Sequence, residues 1–216
     1  MLPPTIPIFP LPNVVLFPNV FLPLHIFEPR YREMVADAVA SDRMIGMVLL
    51  RPGWERDYEG TPPVYPVGCS GVITHVEALA DGRFNIVLRG LERFRIVEED
   101  RARSYRRAIV EPVFEETLRN DDRAAIRTQR SKLEALLAPA VERAGALRPA
   151  ADIRMPAAMS DEDLVNALAQ YLDLEALEKQ ALLEKPCLRT RAESLVELLE
   201  MKIMMARTPG ASHVAH

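Results

Sequence analysis

Seven arginines within one short stretch are the residues of this sequence with the clearest capacity for binding chemistry. They are Arg89, Arg93, Arg95, Arg101, Arg103, Arg106 and Arg107. Guanidinium groups hold phosphates and carboxylates through paired hydrogen bonds, so this arginine stripe (residues 89–107) could bind an anion or RNA. The candidate contacts are Arg93, Arg95, Arg106 and Arg107.

A structural explanation of the arginine stripe competes with the RNA-binding one. Four acidic residues lie in the same stretch and reduce its net charge to +3. Its aromatic residues are Phe94 and Tyr105, and the alternation of the strand turns Phe94 inward, whereas bases need exposed rings for stacking. Charged outer faces of strands with cross-strand ion pairs therefore explain the stripe better, and RNA binding remains the alternative.

A second candidate for binding is the polar segment over residues 51–66, which contains prolines and glycines and the chain's only tryptophan, Trp54. Amphipathic aromatic residues in loops are typical of protein–protein contacts. The segment predicts a protein-binding loop with Trp54 and Tyr58 as its contacts. Packing of Trp54 back onto the body of the protein explains the pattern equally well.

The motifs of common enzymes are missing from the sequence. It has no glycine-rich phosphate loop, no dinucleotide-binding fingerprint and no nucleophile elbow. His25 and His75 lie in apolar, strand-like runs, and the remaining two histidines are near the carboxyl end. In an extended strand Cys69 and His75 would be about 20 Å apart, too far to share a metal. We expect no catalytic residue, no metal and no cofactor, and therefore no enzymatic activity.

The composition is that of a soluble globular protein. The 216 residues are 49% apolar and 27% charged, with a net charge of −4, so bulk charge favours neither nucleic acid nor anionic lipid. Residues 1–27 lack charged side chains, but their seven prolines rule out a membrane helix. Two cysteines far apart in the sequence suit a reducing compartment. We expect a cytoplasmic protein that is neither exported nor inserted into a membrane.

The amino-terminal half, residues 1–117, has many prolines between short apolar runs, as is typical of a β domain. Twelve of the 18 prolines lie within the first 66 residues. Alternating or apolar runs predict about six strands, one of them over residues 44–50, and a helix starting at Glu28-Pro29. Asp81-Gly82 is typical of a type I′ hairpin turn. About six strands and one helix indicate a closed or nearly closed barrel.

The carboxyl-terminal half predicts helices instead. Residues 118–208 are rich in alanine, leucine, glutamate and arginine and show helical periodicity, with a capping signal at Ser160. The last helix is long and ends before Thr208-Pro209-Gly210. We expect a helical bundle over residues 118–208 and a disordered tail over residues 209–216.

Several segments together resemble the family of Lon protease N-terminal, or LON substrate-binding, domains. The most specific is residues 22–31, with the sequence LPLHIFEPRY, and it is joined by residues 8–12, 15–18, 67–73, 81–83, 88–96, 105–108 and 179–184. The resemblance implies an α+β fold, namely a PUA-like β pseudo-barrel with one helix, followed by an α-helical bundle ending in a long helix.

The same resemblance implies a function. In full-length Lon this domain contacts protein substrates, and the ATPase and protease domains lie downstream. We therefore expect the stand-alone bacterial form, a non-catalytic module that binds unfolded client polypeptides and works with a protease or chaperone in protein quality control. The family provides no catalytic residues to transfer to this chain. RNA binding by a PUA-like fold is the alternative.

Overall fold

The protein has an α+β fold of six strands and five α-helices in a computed structural model that describes residues 2–57, 60–100, 102–116, 119–142 and 159–207. The α+β class predicted from the sequence is confirmed. A short 3₁₀-helix covers Trp54–Asp57. The strands are β1 (Thr5–Leu11), β2 (Phe21–Ile26), β3 (Met44–Leu49), β4 (Val67–Ala78), β5 (Phe84–Asp100) and β6 (Arg107–Pro112). The helices are α1 (Pro29–Val39), α2 (Asn120–Glu142), α3 (Asp161–Tyr171), α4 (Ala176–Leu183) and α5 (Leu188–Arg207).

The long strand β5 closes the sheet into a barrel. The strand order is β2-β5-β4-β3-β1-β6, and a further pairing of β5 with β6 joins the two ends of the five-stranded ring. The pairing of β1 with β3 is parallel and the other pairings are antiparallel. Because β5 has 17 residues, its first half pairs with β2 while its second half completes the ring. Among the described residues β2 pairs with β5 alone, so it is a strand of the sheet but not of the five-stranded ring.

The barrel core is built around the ring of Phe94. Every residue of β3 is buried, as its unbroken apolar run predicts, and Phe94 is fully buried with Ile6 and Ile8. A Cβ on either Gly46 or Gly68 would lie 2.7 Å from Cζ of Phe94. These two glycines therefore make room for the aromatic ring.

Helix α1 forms where the sequence predicts it. Pro29 occupies the first helical position, and the buried stripe consists of Tyr31, Met34, Val35 and Ala38. The hydroxyl of Tyr105 donates to Oδ2 of Asp37 at 2.7 Å and the hydroxyl of Ser104 donates to Oε2 of Glu33 at 2.6 Å. These two hydrogen bonds attach the segment before β6 to the exposed side of α1.

Replacing Tyr105 by phenylalanine is expected to lower the free energy of unfolding by about 1–2 kcal/mol, because a hydrogen bond to a carboxylate is lost. Burial, together with the hydrogen bond to Asp37, raises the pKa of Tyr105 to about 12. The unfolded chain releases this proton near pH 10, so the contribution is complete below about pH 10 and is lost as the pH rises towards 12. Denaturant unfolding should therefore show a difference between wild type and Tyr105→Phe that shrinks over this range. A difference that stays constant to pH 12 would contradict the assignment.

The hairpin between β4 and β5 forms at the predicted place but with a different turn. A type I′ turn needs positive φ at both central residues. Gly82 has φ 80°, whereas Asp81 does not adopt a positive φ. The amide of Gly82 donates to the carbonyl of Leu79, so Gly82 follows the central pair of the turn instead of belonging to it. The prediction of type I′ geometry was wrong, because the turn starts one residue earlier, at Leu79.

The chain divides into two compact units. The first consists of Met1–Phe114 together with Leu174–Glu184, and the second of Glu115–Asp173 together with Lys185–His216. Helix α4, which the sequence analysis placed in the helical half, belongs to the first unit. Its Gln180 donates from Nε2 to the carbonyl of Val67 at 2.9 Å. The predicted boundary at residue 117 stays a prediction, because residues 117 and 118 lie outside the described residues.

The second unit contains α2, α3 and the 20-residue helix α5. Ser160 caps α3 by accepting from the amide of Asp163 at 3.1 Å, as the capping signal predicts. No helix in the described ranges is long and apolar enough to cross a membrane. The predicted disordered tail, residues 209–216, lies outside the described residues.

Candidate functional site

An exposed, partly apolar face on β2 and β5 is the surface of the first unit best suited to binding. Paired residues of antiparallel strands share a face, and here the pairs are Phe21 with Arg89, Pro23 with Val87 and His25 with Asn85. Phe21 is 49% exposed and Pro23 is exposed, while Val87 is half-buried. We call Phe21, Pro23 and Val87, with His25 and Arg89 beside them, the β2 face.

Phe27, which follows the last residue of β2, adds a second aromatic ring to the β2 face and is counted as part of it. It is 61% exposed, and its ring stacks on that of His25 with the ring centroids 6.3 Å apart. The opposite side of β2 carries Leu22 and Leu24, which are half-buried. Large apolar side chains that a protein leaves in water next to one another mark interaction sites more often than isolated exposed ones do.

A polar network holds the carboxyl end of the β2 face in place. Nδ1 of His25 lies 2.8 Å from the side-chain oxygen of Asn85, and its Nε2 lies 3.2 Å from a guanidinium nitrogen of Arg83. Because the oxygen accepts and the guanidinium donates, His25 carries its proton on Nδ1. The hydrogen bond from Arg83 lowers the pKa of the Asp81 carboxyl. Side chains of the hairpin thus fix the orientation of His25.

The described residues contain no group of three or more histidine, cysteine, aspartate or glutamate side chains placed to hold a metal ion. Cys69 and Cys187 are both free thiols and both buried. The chemistry that the β2 face offers is therefore apolar contact and hydrogen bonding by the backbone, with a polar rim.

Trp54, the loop residue singled out in the sequence, is half-buried in the 3₁₀-helix. The neighbouring Gly53 has φ 89°, which starts the turn into this helix. Tyr58 lies outside the described residues. The structure therefore places one of these two candidate contacts, and its ring is partly covered.

The four candidate arginines do not form a single cationic surface. Arg93 is only 2% exposed and donates to the carbonyl of Leu183 at 2.8 Å, instead of lying on the outer face of its strand. Arg106 donates to the carboxylate of Glu99 and to the carbonyl of Pro62. The remaining two are Arg107, which pairs with Asp100 at 3.6 Å, and Arg95, which is exposed.

Phe21 and Phe27 are the candidate contacts that sequence reasoning missed. In the sequence, Phe21, Pro23 and His25 alternate with three aliphatic residues, as in a strand, and Phe27 follows them. The histidine in this set was the available signal, because a polar residue in register with Phe21 and Pro23 indicates the solvent side of a strand.

Solved structures define the class of this fold. The Lon N-terminal domain protein from Xanthomonas campestris matches with a TM-score of 0.58 and 22% identity, covering 89% of this chain and 97% of that one. The N-terminal domain of the Lon protease of the Mycobacterium avium complex matches with a TM-score of 0.66 and 18% identity, covering 91% of this chain and 98% of that one. The fold is that of a Lon N-terminal domain.

Sequence comparison identifies the family. Residues 5–201 match the model of the ATP-dependent protease La (LON) substrate-binding domain, and the chain belongs to this family. Lon protease 2 of Myxococcus xanthus is 30% identical over 201 residues, and the Lon protease of Anaeromyxobacter dehalogenans is 28% identical over the same length. Each match covers 93% of this chain but only 24% of the relative. The chain thus spans about a quarter of these relatives, and the matched part is their non-catalytic substrate-binding domain.

Proposed function

We propose that this chain is a non-catalytic module that binds unfolded or partly unfolded polypeptides through the β2 face. The observation that carries the proposal is the exposure of Phe21 and Pro23 on β2 and of Phe27 directly after the strand. Membership in a family of substrate-binding domains supports it, because a substrate of a protease is a polypeptide. In this role the module takes part in protein quality control, together with a protease or chaperone.

The size of the exposed apolar surface indicates weak, reversible binding. Covering the exposed half of one phenylalanine ring contributes about 2 kcal/mol. A few such contacts, after the cost of association, correspond to dissociation constants of about 1–100 μM. An affinity in this range suits a module that samples many clients and releases them.

The β2 face can be tested by removing its two aromatic rings. The double substitution Phe21→Ser with Phe27→Ser is expected to weaken binding of a fluorescent, permanently unfolded polypeptide about tenfold or more, since about 1.4 kcal/mol corresponds to a factor of ten. The measurement is a titration followed by fluorescence anisotropy. Thermal unfolding of the same samples shows whether the variant remains folded.

Phe114 provides a matched control, because it is 81% exposed and lies outside the β2 face. Phe114→Ser should leave the affinity within twofold of wild type. Trp54→Ala tests the competing loop and should also have little effect. Loss of binding in Trp54→Ala, with normal binding in the double variant, would move the site to the loop and contradict the proposal.

A further inference from the structure

Strand β2 is an edge of the sheet. It lies at the end of the strand order, and β5 is its only strand partner among the described residues. An edge strand presents backbone N–H and C=O groups that can pair with another extended chain.

Hydrogen bonds around β5 show which backbone groups of β2 point outward. The amide of Gly90 donates to the carbonyl of Val20 at 2.8 Å, and the carbonyl of Val87 accepts from the hydroxyl of Thr74 on β4. In β5, even-numbered residues therefore direct their backbone groups towards β2 and odd-numbered residues towards β4. Pro23, opposite Val87, and His25, opposite Asn85, direct theirs away from β5.

The position of Pro23 follows this arrangement. A proline inside a sheet is tolerated where its missing N–H would face away from the neighbouring strand. Here the missing N–H lies on the outer edge, so the pairing with β5 loses nothing. The outer edge keeps the carbonyls of Pro23 and His25 as acceptors and the amide of His25 as a donor.

We propose that β2 binds its client by strand addition: an extended segment of the client pairs with the outer edge of β2 and becomes a further strand of the sheet. This inference rests on the proposed function and names the form in which the client is held. Backbone hydrogen bonds would provide binding that does not depend on sequence, while the β2 face selects side chains.

The arrangement also predicts a sequence preference. Client residues paired with Phe21, Pro23 and His25 share their face, so every second client side chain lies beside the exposed apolar residues of β2. A segment with large apolar residues at alternate positions therefore fits best. Such a period-2 pattern is typical of strands that are half-buried in folded proteins and exposed when those proteins unfold.

The other free edge of this part of the sheet is less suitable. β3 pairs with β4 only as far as Val72, so the rest of β4 has β5 as its strand partner in the described residues. The exposed side chains along that stretch include Thr74, His75 and Glu77. Beside these polar residues the stretch carries only Val76, which is half-buried, and Ala78, so it offers an apolar segment less to pack against than β2 does.

N-methylated peptides test the backbone contacts without changing a side chain. The probe is a labelled ten-residue peptide that alternates leucine with threonine, ended by lysines. In an antiparallel added strand the leucine amides point at β2 and the threonine amides point away. Methylating three leucine amides should weaken binding at least tenfold, while methylating three threonine amides should change it less than threefold. A reversed preference would indicate a parallel strand and also support the proposal.

A pair of protein variants tests the same backbone hydrogen bonds by changing β2 instead of the peptide. His25→Pro removes the outward N–H of β2, and the pairing with β5 does not use that group. His25→Ala keeps the N–H and removes the same side-chain contacts. We expect binding of the probe to fall at least fivefold in His25→Pro relative to His25→Ala, with both proteins folded by circular dichroism. Equal affinities in the two folded variants would overturn strand addition.

The outcomes separate strand addition from the proposed function. If the unmethylated peptide binds and Phe21→Ser weakens it, but both methylated peptides behave alike, the client-binding surface stands and strand addition is wrong. If the unmethylated peptide does not bind at all, both proposals fail. If His25→Pro does not fold, the comparison of the methylated peptides decides alone.

Discussion

Replacing Arg191 by methionine is expected to lower the free energy of unfolding of the second unit by about 1–3 kcal/mol, the usual effect of removing the hydrogen-bond partner of a buried polar group. Arg191 is fully buried on α5. It donates to the side-chain oxygen of Asn166 on α3 at 3.1 Å and forms an ion pair with Glu115. The guanidinium of Arg191 thus connects α5 both to α3 and to the segment before α2. Without it, the buried amide of Asn166 loses a donor and Glu115 loses its counter-charge.

The matched control is Arg189→Met, two residues earlier on the same helix. Arg189 is 43% exposed at the side chain and pairs with Asp122 at 3.2 Å. Exposed ion pairs contribute about 0–1 kcal/mol, so this variant should stay close to wild type in denaturant unfolding. Similar losses in the two variants would show that Arg191 does not hold the second unit together.

Replacing Phe94 by alanine is expected to destabilise the first unit by about 3–5 kcal/mol, because the barrel core loses its central ring and keeps a cavity. The ring lies over Gly46 and Gly68, with Ile6 beside it. Neighbouring strands are hydrogen-bonded to each other in a closed ring, so they cannot move in to fill the space. Thermal or denaturant unfolding measures the loss.

The two glycines allow a sharper version of this test. The atoms nearest to a Cβ on Gly46 would be side-chain atoms of Phe94 and Ile6, whereas the atom nearest to a Cβ on Gly68 would be the backbone carbonyl oxygen of Met47. Gly46→Ala should therefore destabilise wild type but cost much less in Phe94→Ala, with a coupling of about 1–2 kcal/mol. Gly68→Ala should remain costly in both backgrounds. Additive effects for Gly46→Ala would contradict the proposed packing.

Local features of the fold were predictable because they depend on neighbouring residues. Pro29 starts α1 through its fixed φ, and the apolar run of β3 leads to a strand buried on both faces. The hairpin position followed from Asp81-Gly82, although the turn type did not. Six strands in a short chain were enough to predict closure of the sheet.

Features that depend on distant partners could not be predicted in this way. Gln180 and Val67 are 113 residues apart, yet their hydrogen bond attaches α4 to the first unit. Arg93 is buried because the carbonyl of Leu183 satisfies it, which the alternation of β5 does not reveal. The apolar periodicity of a helix such as α4 indicates which face is buried. It does not identify the element against which that face packs.

The candidate site shows the same limit. Alternation in β2 showed which side chains share a face, but not which face remains in solvent. That depends on the closure of the barrel through β5 and β6, which leaves β2 on the outside as an edge. The arginine stripe, in contrast, was conspicuous in sequence, and those of its members that the structure describes are distributed among ion pairs, a buried carbonyl contact and solvent.

Polypeptide binding by the β2 face is tested most directly by comparing two labelled probes, an unfolded polypeptide and a single-stranded RNA, by fluorescence anisotropy at low and at physiological salt. We expect saturable binding of the polypeptide that changes little with salt, because apolar contacts and backbone hydrogen bonds carry it. RNA binding that falls steeply with salt, by release of counterions, with no binding of the polypeptide, would contradict this expectation and favour the arginine stripe.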